Sequence, residues 1–159
     1  MRIGLIADTH DRLPALQAAL DHFGLLDIDT VLHAGDLVAP FAARLLASFG
    51  GNMHVVYGNN DGERQGLKAV LPQIQDGPLF LNIADRRILL HHYIDWCKPA
   101  DVARADVVVT GHSHELLVDR QDGKLFINPG ECCGWLSGRC TVAILDLRSA
   151  TVETVEVSP

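Results

Sequence analysis

The chain is short of basic residues: 13 lysines and arginines stand against 20 aspartates and glutamates, a formal charge of −7 over 159 residues. That deficit argues against a nucleic-acid partner and against an anionic membrane surface, since both want a basic face. It does not exclude a small phosphorylated substrate, because bound metal ions reverse the local sign. No apolar run approaches the roughly 20 residues of a membrane span. The opening stretch Met1-Arg2-Ile3-Gly4-Leu5-Ile6-Ala7 meets a carboxylate after too short an apolar core for a secretory signal. Cys97, Cys132, Cys133 and Cys140 include no CxxC pair, the usual spacing of a structural zinc site. Reduced thiols in a cytoplasmic protein suit a chain of this size better than a disulfide framework. Internal repeats, linkers and low-complexity segments are also missing, so residues 1–159 are expected to form a single domain.

What is present is an alternation of buried strands and helices. Ile3 to Ala7 reads as a strand, and Leu13, Leu16, Leu20 and Phe23 recur at helical spacing, with Pro14 in the first turn. Thr30 to His33 is a second strand. Pro40 opens a helix through Leu46 that Gly50-Gly51 stops, and His54 to Tyr57 is a third strand. This rhythm predicts parallel strands with right-handed crossovers. Further on, Leu79 to Ile83 and Arg87 to Leu90 read as a hairpin. Pro99 to Ala105 is a short helix and Asp106 to Thr110 a buried strand. Asp122-Gly123 turns a second hairpin, and Thr141 to Leu147 and Val152 to Val157 alternate as final strands. The prediction is two mixed sheets packed face to face with helices outside. The alternating last strands offer an edge for pairing, which leaves a homo-oligomer open.

Five polar clusters follow these strands: Asp8-Thr9-His10, Gly35-Asp36, Gly58-Asn59-Asn60-Asp61, His91-His92 and Gly111-His112-Ser113-His114. Singly, the first three read equally well as a helix cap, a turn and a loop. Two imidazoles two residues apart, just past a buried apolar strand, are harder to explain by packing. Jointly the clusters make sense if the strand ends converge on one site. Mixed nitrogen and oxygen ligands suit Mn, Fe, Co, Ni or Zn better than Ca or Mg. The set exceeds the needs of one tetrahedral ion and suffices for two ions about 3.5–4 Å apart with a bridging carboxylate. Asp36 is the natural bridge, with Gly35 before it allowing close backbone approach.

In this order the motifs Asp8-x-His10, Gly35-Asp36, Gly58-Asn59, an intermediate histidine and Gly111-His112-x-His114 resemble those of the calcineurin-like metallophosphoesterases. The length and the segment Asn128-Pro129-Gly130-Glu131-Cys132-Cys133-Gly134 are similar to its small prokaryotic phosphodiesterase branch. The resemblance implies an α/β fold, an αββα sandwich of two mixed β-sheets flanked by helices. It implies two divalent ions, Mn first, with Ni, Co, Fe and Zn as alternatives. Asp8, His10, Asp36 and His114 would surround one ion; Asp36, Asn59, His112 and either His92 or His91 the other. Counting from Arg87, His92 takes the family's histidine position. The expected activity is hydrolysis of phosphate esters, most of all diesters, by a hydroxide bridging the ions. Ser113 and the cysteines are then structural.

The chain departs from the family in two places. Many members have histidine directly after the asparagine ligand, where it contacts phosphate or protonates the leaving group. Asn60 stands there instead, able to donate a hydrogen bond but not a proton. Tyr93 replaces the small glycine that usually follows the intermediate histidine. A rival reading is a scaffold on the same fold, like the retromer subunit with its degraded metal site, or a sensor of a phosphorylated ligand.

Overall fold

The computed structural model describes Met1–Pro159, and its core is divided between two sheets lying face to face. The first sheet holds β1 (Arg2–Ile6), β2 (Thr30–His33), β3 (Asn52–Val55), β9 (Thr141–Asp146) and β10 (Thr151–Glu156), in the order β10-β9-β1-β2-β3. The second holds β4 (Leu79–Ile83), β5 (Arg86–Leu90), β6 (Val107–Val109), β7 (Leu116–Gln121) and β8 (Lys124–Pro129), in the order β4-β5-β6-β8-β7. In each sheet the three strands that lead into the polar clusters or the Gly130-Glu131 turn are parallel: β1-β2-β3 and β5-β6-β8. Antiparallel strands flank them: β9 beside β1 and β10 beside β9, and the hairpin partners β4 and β7.

Strand alternation sorts the core. Ile3, Leu5 and Ala7 turn toward the second sheet and meet Ile88, Leu90, Val107, Val109 and Ile127 in the cluster between the sheets. Ile6 turns the other way, under α1 (Leu13–Leu25), α2 (Pro40–Ala47) and α3 (Arg64–Val70). Gly4 lies on that outer face, where a Cβ would sit 2.6 Å from the Phe23 ring, so the bare backbone admits the ring against the strand. A smaller cluster of Leu89, Val108 and Ala105 packs with Val102 of α4 (Pro99–Arg104) on the far side. The layers therefore run helices, sheet, sheet, helix, the expected αββα sandwich.

Several boundaries differ from the sequence reading. The third strand starts at Asn52 rather than His54, because Asn52 and Met53 already pair with Thr30 and Val31. Past it, Val56 makes an isolated bridge to Gln75, and the Tyr57 amide donates to the Gln75 carbonyl. Helix α3 was not expected from the sequence: its one buried residue is Leu67, so it carries no apolar stripe. The first hairpin turns on Ala84-Asp85, both left-handed at φ 46° and 63°, so Arg86 belongs to the strand rather than to the loop.

No helix is long and apolar enough to cross a membrane. All four cysteines are free.

Candidate metal centre

The clusters meet because parallel strands in both sheets end on the same edge of the sandwich. The segment after β1 is tied to that after β2 by backbone bonds: the amides of Asp8, Thr9 and His10 donate to Gly35 and Asp36 carbonyls at 3.0–3.1 Å. Asp8 also reaches the second sheet, where its Oδ2 accepts the His112 amide at 3.0 Å. Asp8, His10, Asp36, His112 and His114 all hold φ between 40° and 70°, left-handed conformations that cost a non-glycine residue energy. Strain gathered in the five residues around one point marks a functional site rather than a packing compromise. Close approach also explains the glycine before Asn59: a Cβ on Gly58 would fall 2.1 Å from Asp36 Oδ1.

Asp36 lies at the middle. Its Oδ2 is 3.5 Å from His10 Nε2 and 3.4 Å from His92 Nε2. On one side Asp8 Oδ1 lies 3.8 Å from His10 Nε2 and 3.6 Å from His114 Nε2. On the other, His92 Nε2 and His112 Nδ1 both point at Asn59 Oδ1, each at 2.8 Å. Burial acts to raise the Asp36 carboxyl, but His92 and the two bonds from Asn60 outweigh it and hold the group well below the usual carboxylate range. The bridge candidate is thus ionised at neutral pH.

The 3.4–3.8 Å separations among Asp8, His10, Asp36, His92 and His114 suit a cation better than hydrogen bonds. Asp8 Oδ1 and His10 Nε2 are buried and have no hydrogen-bond partner. Ligand atoms about 2.1 Å from a tetrahedral ion lie about 3.4 Å apart, close to the spacing seen. Imidazole tautomers point the same way. His92 Nδ1 faces the Ala34 carbonyl at 2.8 Å, an acceptor, so it carries the proton of the neutral ring, and a metal ion would take the place of a second proton at Nε2, which faces Asp36 and Asn59. His114 Nδ1 likewise donates to Glu131 Oε2 at 2.8 Å, leaving Nε2 free toward Asp8. Lone pairs and carboxylates aimed at one another are what divalent ions would reconcile. The residues fit the metals.

The structure brings together Asp8, His10, Asp36, Asn59, His92, His112 and His114. His91 is turned elsewhere: its Nδ1 accepts the His92 amide at 2.8 Å, and its ring lies edge-on to Trp96 and against Gly77. The alternation of an extended chain sends the two neighbouring rings to opposite sides. Asn60 faces Asp36, not open space; its amide N–H reaches Oδ1 and its Nδ2 reaches Oδ2, both at 2.8 Å. It therefore acts on the Asp36 carboxylate rather than standing as a free donor.

Three supporting residues carried no role in the sequence reading. Asp61 is buried and accepts the amides of Asp36, Gly58 and Val38, which fixes the two loops that carry Asp36 and Asn59. Glu131 is buried at the end of β8 and accepts from His114, from the Leu136 and Ser137 amides and from the Cys133 thiol. Burial pushes the Glu131 carboxyl up, but the bonds from Ser137, His114 and Leu136 hold it at about 2. Cys133 has its sulfur within 4.8 Å of the His10 and His114 ligand atoms, yet burial pushes its thiol up to about 12 and its S–H donates to Glu131 Oε2 at 3.2 Å. The signal for Glu131 was its position, directly after a parallel strand like every other cluster.

His33 stands behind the site. Its Nδ1 accepts the Gly35 amide at 3.1 Å, so its Nε2 holds the proton and donates to Thr9 Oγ1 at 2.7 Å. A second ring proton would oppose the Gly35 N–H, and burial, with smaller help from the neighbouring His92 and His10, lowers the imidazole strongly, to about 3. A depressed pKa means that stability is complete above the unfolded value of 6.5 and is lost as pH falls toward 3. The expected slope is about 1.4 kcal/mol per pH unit in that window. Urea unfolding at pH 7 and 5 should show it in the parent and show a shallower fall in His33→Gln; equal falls would contradict this role.

Fold and site together define a class, and sequence comparison agrees. The family profile described as the calcineurin-like phosphoesterase superfamily domain matches residues 1–150. The chain belongs to that superfamily. It is 38% identical over 154 residues to Phosphodiesterase MJ0936 of Methanocaldococcus jannaschii, covering 92% of this chain and 93% of that protein. The solved structure of a novel archaeal phosphodiesterase superposes with a TM-score of 0.88 at 34% identity, covering 99% of this chain and all of the other, 100%. Vps29 of Chaetomium thermophilum shares the fold alone, with a TM-score of 0.71 at 17% identity over 99% of this chain and 97% of its own.

Proposed function

We propose that this chain is a two-metal phosphodiesterase acting on a small phosphorylated substrate in the cytoplasm, with Mn or a similar ion. The observation that carries the reading is the pair of buried, partnerless atoms Asp8 Oδ1 and His10 Nε2 beside Asp36. Bound divalent ions supply Lewis-acid charge to the phosphoryl oxygens and an activated water at neutral pH. The chain's own contribution is placement. Asp8, His10, Asp36 and His114 would hold one ion, and Asp36, Asn59, His92 and His112 the other. Ala34 and Glu131 fix the tautomers of His92 and His114 so that the coordinating nitrogens face inward. Asn60 and Asp61 hold the Asp36 loop in register. The similarity to an archaeal phosphodiesterase over nearly the whole chain supports the diester as the bond cleaved.

Asn60 sets the substrate preference. No proton donor stands where many relatives keep histidine, so the leaving alcohol departs with little help from the protein. Aryl diesters, which leave as stabilised phenoxides, should be turned over at least about a hundredfold faster in kcat/KM than alkyl monoesters, the range of a lost general acid. Comparable values for the two would contradict this role of Asn60.

The reading is tested with bis(p-nitrophenyl) phosphate and metal-stripped protein. Hydrolysis should appear on adding Mn and vanish with chelator. Metal uptake without turnover across Mn, Ni, Co and Zn would instead favour a scaffold or a sensor.

A further inference from the structure

The aromatic residues are unevenly placed. Both tryptophans and one of the two tyrosines stand at the rim of the ligand cluster. Tyr93 and Trp96 follow His92 through a single turn of 3-10 helix (Ile94–Trp96). The Tyr93 ring centre is 4.1 Å from that of His112, and the Trp96 centre is 6.0 Å from His92 and 6.2 Å from His112. Trp135 stands at the opposite end, in the loop that Glu131 anchors. Its Nε1–H donates to the His10 carbonyl at 3.4 Å, and the Arg12 guanidinium lies 4.8 Å from its ring centre. Trp96 is 50% exposed and Trp135 61% exposed. Large rings of this kind are mostly buried in folded proteins, so folding alone does not account for either exposure.

We propose that the substrate is a short diester with a planar ring on each ester arm, a nucleobase in a biological molecule, with one ring stacked at Trp96 and Tyr93 and the other at Trp135. The inference rests on the phosphodiesterase reading and names its substrate class. A diester whose phosphorus sits over Asp36 sends its two arms toward the two ends of the cluster. One end is Asn59, His92 and His112 beside Trp96; the other is His10 and His114 beside Trp135. Base–aromatic stacking gives affinity without reading base identity. The net charge of −7 disfavours a long polyanionic strand, whereas a dinucleoside diester brings a single negative charge.

The test compares thymidylyl-thymidine with bis(hydroxyethyl) phosphate on the Mn-loaded protein. Both have alkyl leaving groups, so intrinsic reactivity is matched and the rings make the difference. Each is titrated as an inhibitor of bis(p-nitrophenyl) phosphate hydrolysis and, separately, by fluorescence excited beyond the tyrosine absorption band, which reports on the two tryptophans Trp96 and Trp135. The dinucleoside should bind about tenfold or more tightly and quench the emission. Trp96→Ala and Trp135→Ala should each weaken it about fivefold with metal content unchanged, and Trp96→Phe should restore part of the loss. Equal inhibition by the two diesters with unmoved fluorescence would overturn the proposal. So would dinucleoside affinity unchanged in both alanine variants. If the aryl diester is not hydrolysed at all, the phosphodiesterase reading fails, while the fluorescence titration still decides whether the rings are received.

Discussion

Asp36→Asn should lower kcat/KM on an aryl diester by about a thousandfold or more and cut bound metal from two ions to one or none. Asp36 is the only residue whose carboxylate oxygen lies within reach of both histidine sets, 3.5 Å from His10 Nε2 and 3.4 Å from His92 Nε2. Asparagine keeps the shape and one acceptor but removes the negative charge that would lie between the two proposed ions. Several kcal/mol of charge stabilisation disappear, and each 1.36 kcal/mol is about tenfold in rate. The substitution also leaves the Asn60 amide and side chain competing for one oxygen where each now has its own. Metal analysis beside steady-state kinetics checks both parts. A variant that keeps two ions and most of its activity would remove Asp36 from the centre of the site.

Glu131→Ala should be the most destabilising single change near the site, by about 3–5 kcal/mol, and should weaken metal binding by about ten- to a hundredfold. The carboxylate is fully buried and gathers donors from His114, Leu136, Ser137 and Cys133. Alanine leaves all of them without that acceptor, and the position it empties is itself fully buried. The His114 ring then loses the bond that fixes its tautomer, so Nε2 no longer faces Asp8 reliably. Glu131→Gln, which keeps one oxygen, should fall between. Urea unfolding reads the stability and Mn titration the affinity. If the alanine variant unfolds like the parent, Glu131 is not the anchor of this loop.

How much of this was legible in the sequence depended on the range of the forces involved. Strands such as β2 and β6 were plain because a continuous apolar run between polar turns has few other meanings. Residues Arg64–Val70 gave no such signal, since a short helix with one buried side chain has neither stripe nor cap. The residues around Asp36 were legible because metal-type side chains recur at the ends of strands that must be parallel. The choice between His91 and His92 rested on a count from Arg87, and the backbone alternation at the end of β5 turns His92 inward. Asp61 was opaque for another reason: its partners are backbone amides of loops, those of Asp36 and Val38 lying 25 and 23 residues away, and amides carry no sequence signature.

Anomalous diffraction from crystals grown with Mn tests the central claim most directly. Two peaks about 3.5–4 Å apart are predicted. One should be ringed by Asp8, His10, Asp36 and His114, the other by Asp36, Asn59, His92 and His112. A single peak, or a second one that Asp36 does not touch, would contradict a shared two-metal centre.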